Sequence, residues 1–342
     1  MTSSLKVNAM FCSSILARKL FLGLMVVPLL LGCTGTEVPD DLTDETITLA
    51  LNWYPDSQHG GFYAAEHFGF FQDEGLQVQI EPGGPGAPVV QNVALGRVAF
   101  GVGNADQILL AREQQIPLVA LMASMQNSPR CLMVHQESGI TSFEQLKGIK
   151  LALGAGKSFA KFLSQDGVLK DVQVVPYTGS VAPFLADTQF GQQAYVFSEP
   201  YVVEQRGAHP VCLMVSDLGF NPYSSILFTN EELLQEKPEV VAKIVRAVRR
   251  GWLAYLNDPE PVNQKIQKDN PEMNLEALSY GAKAIADLCL PAGLAKAEIG
   301  TMTDARWDDL KQQLTEIELV SKDLSPDQSY SLQFLQPLET SP

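Results

Sequence analysis

Four side chains that could contact a small molecule lie close together near residue 55: Asn52, Trp53, Tyr54 and His59. They follow an apolar run that predicts a strand over residues 47–51, and they precede a predicted helix that begins near residue 59 and ends before Gly69. In open α/β sheets, ligands bind outside the carboxyl ends of the strands. The aromatic rings offer flat faces to a planar ligand. The same rings could instead cap the core, and this segment alone leaves both interpretations open.

A glycine- and proline-rich turn follows the second predicted strand, which covers residues 76–80. The turn reads EPGGPGAP over residues 81–88 and leads into a predicted helix over residues 89–95. Glycines ahead of a helix allow close backbone approach and leave its first N–H groups free to meet a ligand oxygen. The spacing matches neither GxGxxG nor GxxxxGK[ST], so an ordinary turn explains the segment equally well.

These loops lie between strands and helices that alternate along the chain. Residues 98–102 and 118–122 predict two further strands, and residues 107–114 predict a helix between them. The order β-α-β-α-β-α-β over residues 46–124 predicts a parallel sheet with right-handed crossovers.

Long amphipathic helices are predicted in the last third of the chain. Residues 238–256 place apolar side chains at helical spacing, and residues 275–288 and 303–317 show similar stripes. We expect these stripes to be buried in the core, so neither Trp252 nor Trp307 is a site candidate.

The first 32 residues have the features of an export signal. Their charges are all basic, and the apolar run over residues 20–31 is shorter than the roughly 20 residues that a membrane-spanning helix needs. The run ends in Leu-Leu-Gly-Cys33, which resembles the bacterial lipobox, where cleavage leaves the cysteine first and its thiol carries a diacylglycerol. We therefore expect an exported lipoprotein, anchored through Cys33 on the extracytoplasmic side of a membrane, with an acidic tether over residues 33–46.

The composition restricts the partners. The chain has 342 residues and a formal net charge of −15. The length suffices for two domains, and the acidic balance argues against nucleic acid as a partner. We expect a monomer that binds a small molecule.

No pattern of metal or catalytic chemistry is found. Cys131, Cys212 and Cys289 remain outside the signal and show no CxxC spacing, which argues against a metal site. GxSxG, HExxH and P-loop motifs are missing from the sequence, so we expect neither a catalytic centre nor a cofactor. One cysteine pair could bridge in an oxidising compartment, and Cys131 with Cys212 is the favoured pair.

Three segments follow one another in a particular order: LNWYPDSQHGGFYAAEHFGFFQDEGLQVQ, PGAPVVQNVALGRVAFGVGNADQILLAREQQIPL and SGITSFEQLKGIKLAL. Together they resemble the ABC-transporter substrate-binding proteins of the sulfonate, taurine, nitrate and thiamine-pyrimidine group. The resemblance covers residues 46 to about 290 and lies in order and spacing. One departure is Ala99, where the family usually has an acidic residue.

The resemblance implies an α/β, two-lobed periplasmic-binding-protein fold of type II. Each lobe would be a mostly parallel sheet flanked by helices, and two crossing segments would form a hinge. Apolar runs at residues 131–134 and 224–228 are the predicted crossings. The implied parts are lobe I (47–131 and 227–324), lobe II (132–226) and a C-terminal tail (325–342).

A ligand held between two such lobes should contact loops at the strand ends of both. The lobe I candidates are Asn52, Trp53, Tyr54, His59, Tyr63, Gly84, Gly86, Ala87, Asn104 and Asp106. The candidates from lobe II and the second crossing are Tyr177, Glu199, Tyr201 and Tyr223. Glu199 is the most informative, because a charged residue at the end of an apolar strand either pairs with a lysine or accepts hydrogen bonds from a ligand amine. The alternative role is that of a helix N-terminal carboxylate preceding Pro200.

The composition of these loops indicates a ligand type. Arg130 and Lys157 are the basic residues near the predicted cleft, whereas tyrosines and carboxylates are numerous. We therefore favour a small, flat, nitrogen-bearing ligand, such as a pyrimidine precursor of thiamine. A sulfonate, taurine or nitrate is the alternative, and it would call for several converging donors. The implied partners are the permease and the ATPase of an importer.

An enzymatic alternative comes from the same fold. It hosts enzymes that make the thiamine pyrimidine from a histidine and pyridoxal phosphate, and their early NW....H segment resembles Asn52, Trp53 and His59 of this chain. Those enzymes carry a cysteine-rich run before a later helix, whereas this chain has GFNPYSS over residues 219–225. We therefore expect a binding protein rather than an enzyme.

Overall fold

The computed structural model describes residues 46–338. The predicted export signal, Cys33 and most of the predicted tether lie outside these residues. Over residues 46–338, none of the helices is both long enough and apolar enough to cross a bilayer.

The strands of the described residues form two five-stranded sheets. They are β1 (Ile47–Ala50), β2 (Val78–Glu81), β3 (Phe100–Gly103), β4 (Leu118–Met125), β5 (Arg130–His135), β6 (Lys150–Leu153), β7 (Gln173–Pro176), β8 (Phe190–Tyr195), β9 (Pro210–Met214) and β10 (Ser224–Asn230).

Helices flank both sheets. They are α1 (Gly60–His67), α2 (Phe70–Asp73), α3 (Val89–Ala94), α4 (Ala105–Glu113), α5 (Ser158–Gln165), α6 (Ala182–Ala186), α7 (Glu199–Glu204), α8 (Glu231–Glu236), α9 (Pro238–Asn257), α10 (Glu260–Asp269), α11 (Leu275–Cys289) and α12 (Asp304–Glu316).

The first sheet, which belongs to lobe I, has the order β2-β1-β3-β10-β4. Strand β1 runs parallel to β2 and β3, in agreement with the predicted βα repeat. Strand β10 is inserted antiparallel between β3 and β4. Residues 224–228, predicted as a hinge crossing, are thus the first part of a central strand. Every residue of β10 is buried, which is typical of a central strand, but an apolar run does not reveal where in a sheet its strand will be placed.

The second sheet, which belongs to lobe II, has the order β7-β6-β8-β5-β9. Strands β6, β7 and β8 are parallel, and β5 pairs antiparallel with both β8 and β9. Strand β8 contains Gln192 and Gln193, which are both buried, so its sequence does not form a continuous apolar run. Strand β9 and helix α10 were not predicted.

The chain passes between the lobes through residues 126–129 and 219–223, which precede β5 and β10. Both runs that were predicted as crossings are thus strands, and the crossings are the polar turns before them. Arg306 of α12 holds these turns together. Its guanidinium donates to the carbonyl oxygens of Gln126 at 2.5 Å and Asn221 at 2.6 Å, and it lies 4.0 Å from the Tyr223 ring centroid.

The two turns are also bonded directly to each other. The side-chain oxygen of Asn221 accepts the backbone N–H of Ser128 at 2.7 Å, and its amide nitrogen donates to Asn127 Oδ1 at 2.8 Å. The hinge is therefore a compact polar unit rather than a pair of independent linkers.

Helix α1, which directly follows the first candidate loop, packs closely on α9. A Cβ atom at Gly61 would lie 2.2 Å from the Trp252 ring, and one at Gly60 would lie 2.1 Å from the Tyr255 ring. The contact therefore requires glycine at both positions. Trp252 is fully buried, which confirms its predicted role in the core.

The C-terminal segment described up to residue 338 lies on lobe I. The N–H of Ser331 donates to the carbonyl oxygen of Ala120 at 2.9 Å, and the N–H of Ala120 donates to Ser329 at 2.8 Å. The Tyr330 ring stacks on Trp307 with centroids 5.0 Å apart. This segment covers the outer edge of β4.

Candidate functional site

The aromatic loop after β1 presents two exposed rings. Trp53 is 41% exposed and Tyr54 is 51% exposed, and the rings meet edge to face with centroids 5.6 Å apart. The glycine-rich turn supports them. The N–H of Gly83 donates to the carbonyl oxygen of Trp53 at 3.0 Å, and a Cβ at Gly84 would lie 3.2 Å from the Tyr54 ring. The two predicted loops of lobe I are therefore one surface.

His59 lies beneath this surface rather than on it. Its ring is fully buried, and its Nε2 lies 3.0 Å from Asn52 Oδ1. Its Nδ1 accepts the backbone N–H of Asp56 at 3.4 Å. Burial lowers the pKa of His59 to about 3, so the ring is neutral and Nε2–H donates to Asn52. The predicted ligand residue is thus placed where it orients the Asn52 side chain.

Asp56 is a buried carboxyl group that the sequence analysis did not select. It caps the 3-10 turn Ser57–His59 and accepts the N–H of Gln58 at 2.9 Å and its Nε2–H at 3.0 Å. Burial raises the pKa of Asp56 to about 7, and the negative charge of Glu199 adds to this rise, while the bonds from Gln58 oppose it. An Asp three residues before a His at a helix start is a capping-box signal that could have revealed it.

Asn104 is the N-cap of α4 and Asp106 lies in its first turn, so the helix begins two residues before the predicted start at residue 107. The Oδ1 atom of Asn104 lies 3.4 Å from the N–H of Ser225, and Asp106 accepts a hydrogen bond from the Ser158 hydroxyl of lobe II. Ser225 has a positive φ of 50° and donates from its hydroxyl to the carbonyl oxygen of Gln58 at 3.0 Å. A non-glycine residue held in this conformation indicates a segment fixed by its surroundings.

The wall from lobe II is built around Glu199, the first residue of α7. One carboxylate oxygen accepts the Tyr177 hydroxyl at 2.9 Å, and the other accepts the N–H of Tyr195 at 2.8 Å. Neither partner is a lysine. Each oxygen keeps a lone pair for a further donor.

Arg130 contacts Tyr195, the same residue whose N–H bonds to Glu199. Its guanidinium donates to the Tyr195 hydroxyl at 2.7 Å and lies 4.0 Å from the Tyr195 ring centroid and 4.6 Å from that of Phe159. The faces of the guanidinium are therefore used by aromatic rings. The sequence analysis had counted Arg130 as a nearby cation without predicting these contacts.

Three predicted tyrosines lie elsewhere. Tyr63 is 1% exposed and is covered by α10, with Lys265 Nζ 5.5 Å from its ring. Tyr223 belongs to the hinge, where its hydroxyl accepts the N–H of Thr303 at 3.1 Å. The Tyr201 ring contacts the Tyr280 ring of α11 at a tilt of 40°, with centroids 5.3 Å apart. In this structure each of these rings packs between helices or at the hinge, and ligand contact by these tyrosines stays a prediction.

Gly86 and Ala87 also lie in the predicted turn. Gly86 has a φ of 74°, and a Cβ there would meet nothing within 4 Å. Its role in the structure is to make the turn.

Two surface cavities of the described residues lie away from these walls. One of about 370 Å³ lies beside Glu113 and Ser321, and another of about 240 Å³ lies beside His67 and Lys268. Neither is lined by a residue of the two walls. Over residues 46–338, no group of three or more His, Cys, Asp or Glu side chains is arranged to hold a metal ion.

Comparison with known proteins identifies several relatives. Riboflavin-binding protein RibY of Chloroflexus aurantiacus is 25% identical over 79% of this chain and 83% of its own length. A formylaminopyrimidine-binding protein of Halalkalibacterium halodurans is 24% identical over 73% of this chain and 78% of its own. A 4-amino-5-hydroxymethyl-2-methylpyrimidine phosphate synthase of Legionella pneumophila is 24% identical over 84% of this chain and 92% of its own length.

Among solved structures, the periplasmic aliphatic sulphonate binding protein SsuA of Escherichia coli superposes with a TM-score of 0.66 at 13% identity. The match covers 87% of this chain and 94% of SsuA. It confirms the predicted two-lobed periplasmic-binding-protein fold. The family model described as NMT1/THI5 like matches residues 56–262. The predicted resemblance is thereby confirmed, and the chain belongs to the NMT1/THI5-like family.

Proposed function

We propose that this protein is the extracytoplasmic solute-binding component of an ABC importer, and that its lobes close on a small, flat, nitrogen-bearing heteroaromatic ligand such as a thiamine-pyrimidine precursor. The observation that carries the proposal is the carboxylate of Glu199. It is oriented by Tyr177 and the N–H of Tyr195, while lobe I contributes the exposed rings of Trp53 and Tyr54.

The two walls suit complementary parts of such a ligand. An oriented carboxylate accepts hydrogen bonds from ring or exocyclic N–H groups, and charged acceptors form the stronger bonds. Exposed aromatic faces gain from covering a planar ring. A buried carboxyl group in lobe I, Asp56, lies within electrostatic reach of Glu199. Two acidic groups from opposite lobes favour a ligand that brings donors rather than a negative charge.

A sulfonate, taurine or nitrate fits these walls less well. Such a ligand needs several donors that converge on its oxygens. Arg130 has its guanidinium between two rings and already donates to the Tyr195 hydroxyl. The two relatives named as binding proteins carry the names of flat nitrogen heterocycles, riboflavin and formylaminopyrimidine, which supports the same ligand class.

The transport role rests on the family and on the signal predicted over residues 1–32. A lipid on Cys33 would keep the protein beside a permease and its ATPase on the extracytoplasmic face of the membrane. Affinity purification from membranes should recover these two partners with the wild-type protein. Recovery of neither would count against the transport role and leave ligand binding intact.

Isothermal titration of a C33S variant, which lacks the lipid, tests the ligand class. Aminopyrimidines, riboflavin, taurine and nitrate would be titrated in turn. We expect at least one nitrogen heterocycle to bind and the two anions to give no heat. Tight binding of taurine with no response to any heterocycle would overturn the assignment.

Relatives named as pyrimidine phosphate synthases support an enzyme as the second candidate. The residues of this chain do not fit it well. The imidazole of His59 is fully buried, and both its nitrogens have partners within its own loop. Residues 213–230 contain no cysteine, whereas the enzymes that the chain resembles carry a cysteine-rich run there. An imine absorbance band on addition of pyridoxal phosphate would support the enzyme.

A further inference from the structure

Two cysteine thiols lie close together on neighbouring strands of the lobe II sheet. Cys131 of β5 and Cys212 of β9 have their Sγ atoms 3.0 Å apart. We propose that they form an intramolecular disulfide in the exported protein, and that this bond ties together β5 and β9, the first and last strands of lobe II.

The strand register places both side chains on one face of the sheet. Cys131 lies opposite Met214, and Cys212 lies opposite Met133, so the cysteines are diagonal neighbours in an antiparallel pair. Diagonal neighbours in such a pair are usually too far apart for short side chains to meet, but here the two sulfur atoms are 3.0 Å apart. Both belong to the small apolar cluster that also contains Phe184. Bond formation requires the sulfur atoms to approach to about 2.05 Å, which is a movement of about 1 Å from where they lie.

The position of the two cysteines determines how much of lobe II the disulfide would enclose. Strand β5 begins immediately after the first crossing, and β9 ends shortly before the second. The two cysteines are 81 positions apart, so the bond would enclose nearly all of lobe II in one covalent loop. Long loops lose the most chain entropy in the unfolded state when they are closed. Strand β9 is also an edge strand of its sheet, and the bond would fasten this edge to β5.

The chemistry needs an oxidant of the disulfide class, such as oxidised glutathione. Cys212 is partly exposed, whereas Cys131 is fully buried and burial raises its pKa. The Cys212 thiolate therefore attacks first, forms a mixed disulfide and releases one glutathione. The Cys131 sulfur then attacks Cys212 Sγ, loses its proton to solvent and releases the second glutathione. Two protein thiols are oxidised, and one glutathione disulfide is reduced to two thiols.

Cys289 supplies a matched control within the chain. It is buried on α11 in the lobe I core and is likewise a free thiol. It lies in a different cluster from the other two cysteines. We expect it to remain reduced under the conditions that oxidise the pair.

The test uses the full chain carrying C33S, oxidised with glutathione disulfide, alkylated in denaturant and mapped by mass spectrometry. We expect a linked peptide that contains Cys131 and Cys212, with alkylation of Cys289 alone among the three. The C289S variant should form the same link. Alkylation of both Cys131 and Cys212, a stable glutathione adduct on Cys212, or a link to Cys289 would each overturn the proposal.

A thermal scan tests whether the disulfide stabilises the protein against unfolding. The oxidised protein should have a Tm about 5–10 °C above that of the reduced protein, and the C131S/C212S double variant should show no difference. A linked protein whose Tm does not respond to reductant would overturn the stabilising role. The test needs no ligand, so its failure leaves the proposed binding function unaffected.

Discussion

The two walls of the proposed cleft differ in how their side chains are held. The lobe I wall presents Trp53 and Tyr54, which are exposed and contact mainly each other and a glycine turn. The lobe II wall presents Glu199 and Arg130, whose polar atoms are bonded to tyrosines of their own lobe. Lobe I therefore offers adaptable surface area, and lobe II offers polar groups in fixed directions.

This difference separates affinity from specificity. Aromatic faces bind any flat molecule with modest selectivity, because stacking depends little on which ring atoms are present. An oriented carboxylate discriminates strongly, because a ligand without a matching donor leaves a desolvated charge unpaired. Changes in lobe II should thus alter which ligand binds, whereas changes in lobe I should alter how tightly all flat ligands bind.

The largest expected effect concerns the buried carboxyl group of Asp56, which lies beneath the lobe I wall. The D56N variant removes this titrating group. The pKa of Asp56 is about 7 in the folded protein against an ordinary 3.8. As pH rises, the wild-type protein therefore loses this proton at a lower pH in the unfolded state than in the folded state. The free energy of unfolding should then fall, relative to D56N, by on the order of 3–4 kcal/mol as pH rises from about 4 to about 7.

Denaturant unfolding at pH 4, 5.5, 7 and 8 measures this difference, with D308N on the exposed face of α12 as the control. His59 acts in the opposite sense in both proteins, because its depressed pKa costs stability as pH falls below about 6.5. Comparing the two proteins cancels that contribution. A constant difference across the range would show that the pKa of Asp56 is the same in the folded and unfolded states, which would contradict the shift.

Removing the charge of Glu199 should weaken the binding of a nitrogen heterocycle by about 100-fold, since hydrogen bonds to charged groups contribute about 1.5–3 kcal/mol. In E199Q the side-chain oxygen can still accept the N–H of Tyr195, so the wall should keep its shape. Titration calorimetry measures the affinity. E204Q on the same helix, where the side chain is exposed, is the matched control, and equal affinities for the two variants would contradict the role of Glu199.

Removing the Trp53 ring should weaken every flat ligand by roughly tenfold, because a stacked aromatic face contributes about 1–2 kcal/mol. W53A should also retain the wild-type Tm, since the ring is 41% exposed. The ratio of affinities for two heterocycles should stay constant. The control is F68A, which removes an aromatic ring of similar exposure outside the proposed cleft and should bind ligands normally. If W53A lost affinity for only one heterocycle, the proposal that lobe I contributes affinity without selectivity would be wrong.

The smallest expected effect concerns the bond that joins the walls. The Ser158 hydroxyl donates to Asp106 across the lobes, and its loss in S158A should weaken binding about fivefold, which corresponds to one ordinary hydrogen bond. Small-angle scattering should show a larger open fraction without ligand. S164A on the exposed face of the same helix is the control, and an unchanged open fraction would mean that the contact does not hold the lobes closed.

The sequence predicted the elements that depend on local pattern. The strand-loop-helix unit from β1 to α1 was found, because alternation and helix boundaries are local signals. The apolar stripe of α9 was found for the same reason. Strand β9 was missed, since its short sequence Pro210–Met214 at the sheet edge is only partly buried. Asp56 was missed because the capping-box spacing from Asp56 to His59 marks the start of a helical turn but does not reveal that the carboxyl group is buried.

The sequence by itself determined the order of the elements, their amphipathic faces and the set of polar and aromatic residues available at strand ends. Only the tertiary structure decided which of those residues are available to line the proposed cleft. Tyr63 is covered by α10, and Tyr223 is held by Arg306 of α12, whereas Trp53 and Tyr54 are left exposed. The physical reason is that burial depends on segments some 80 to 200 positions away in the chain, and no local pattern specifies which distant surface will cover a given side chain.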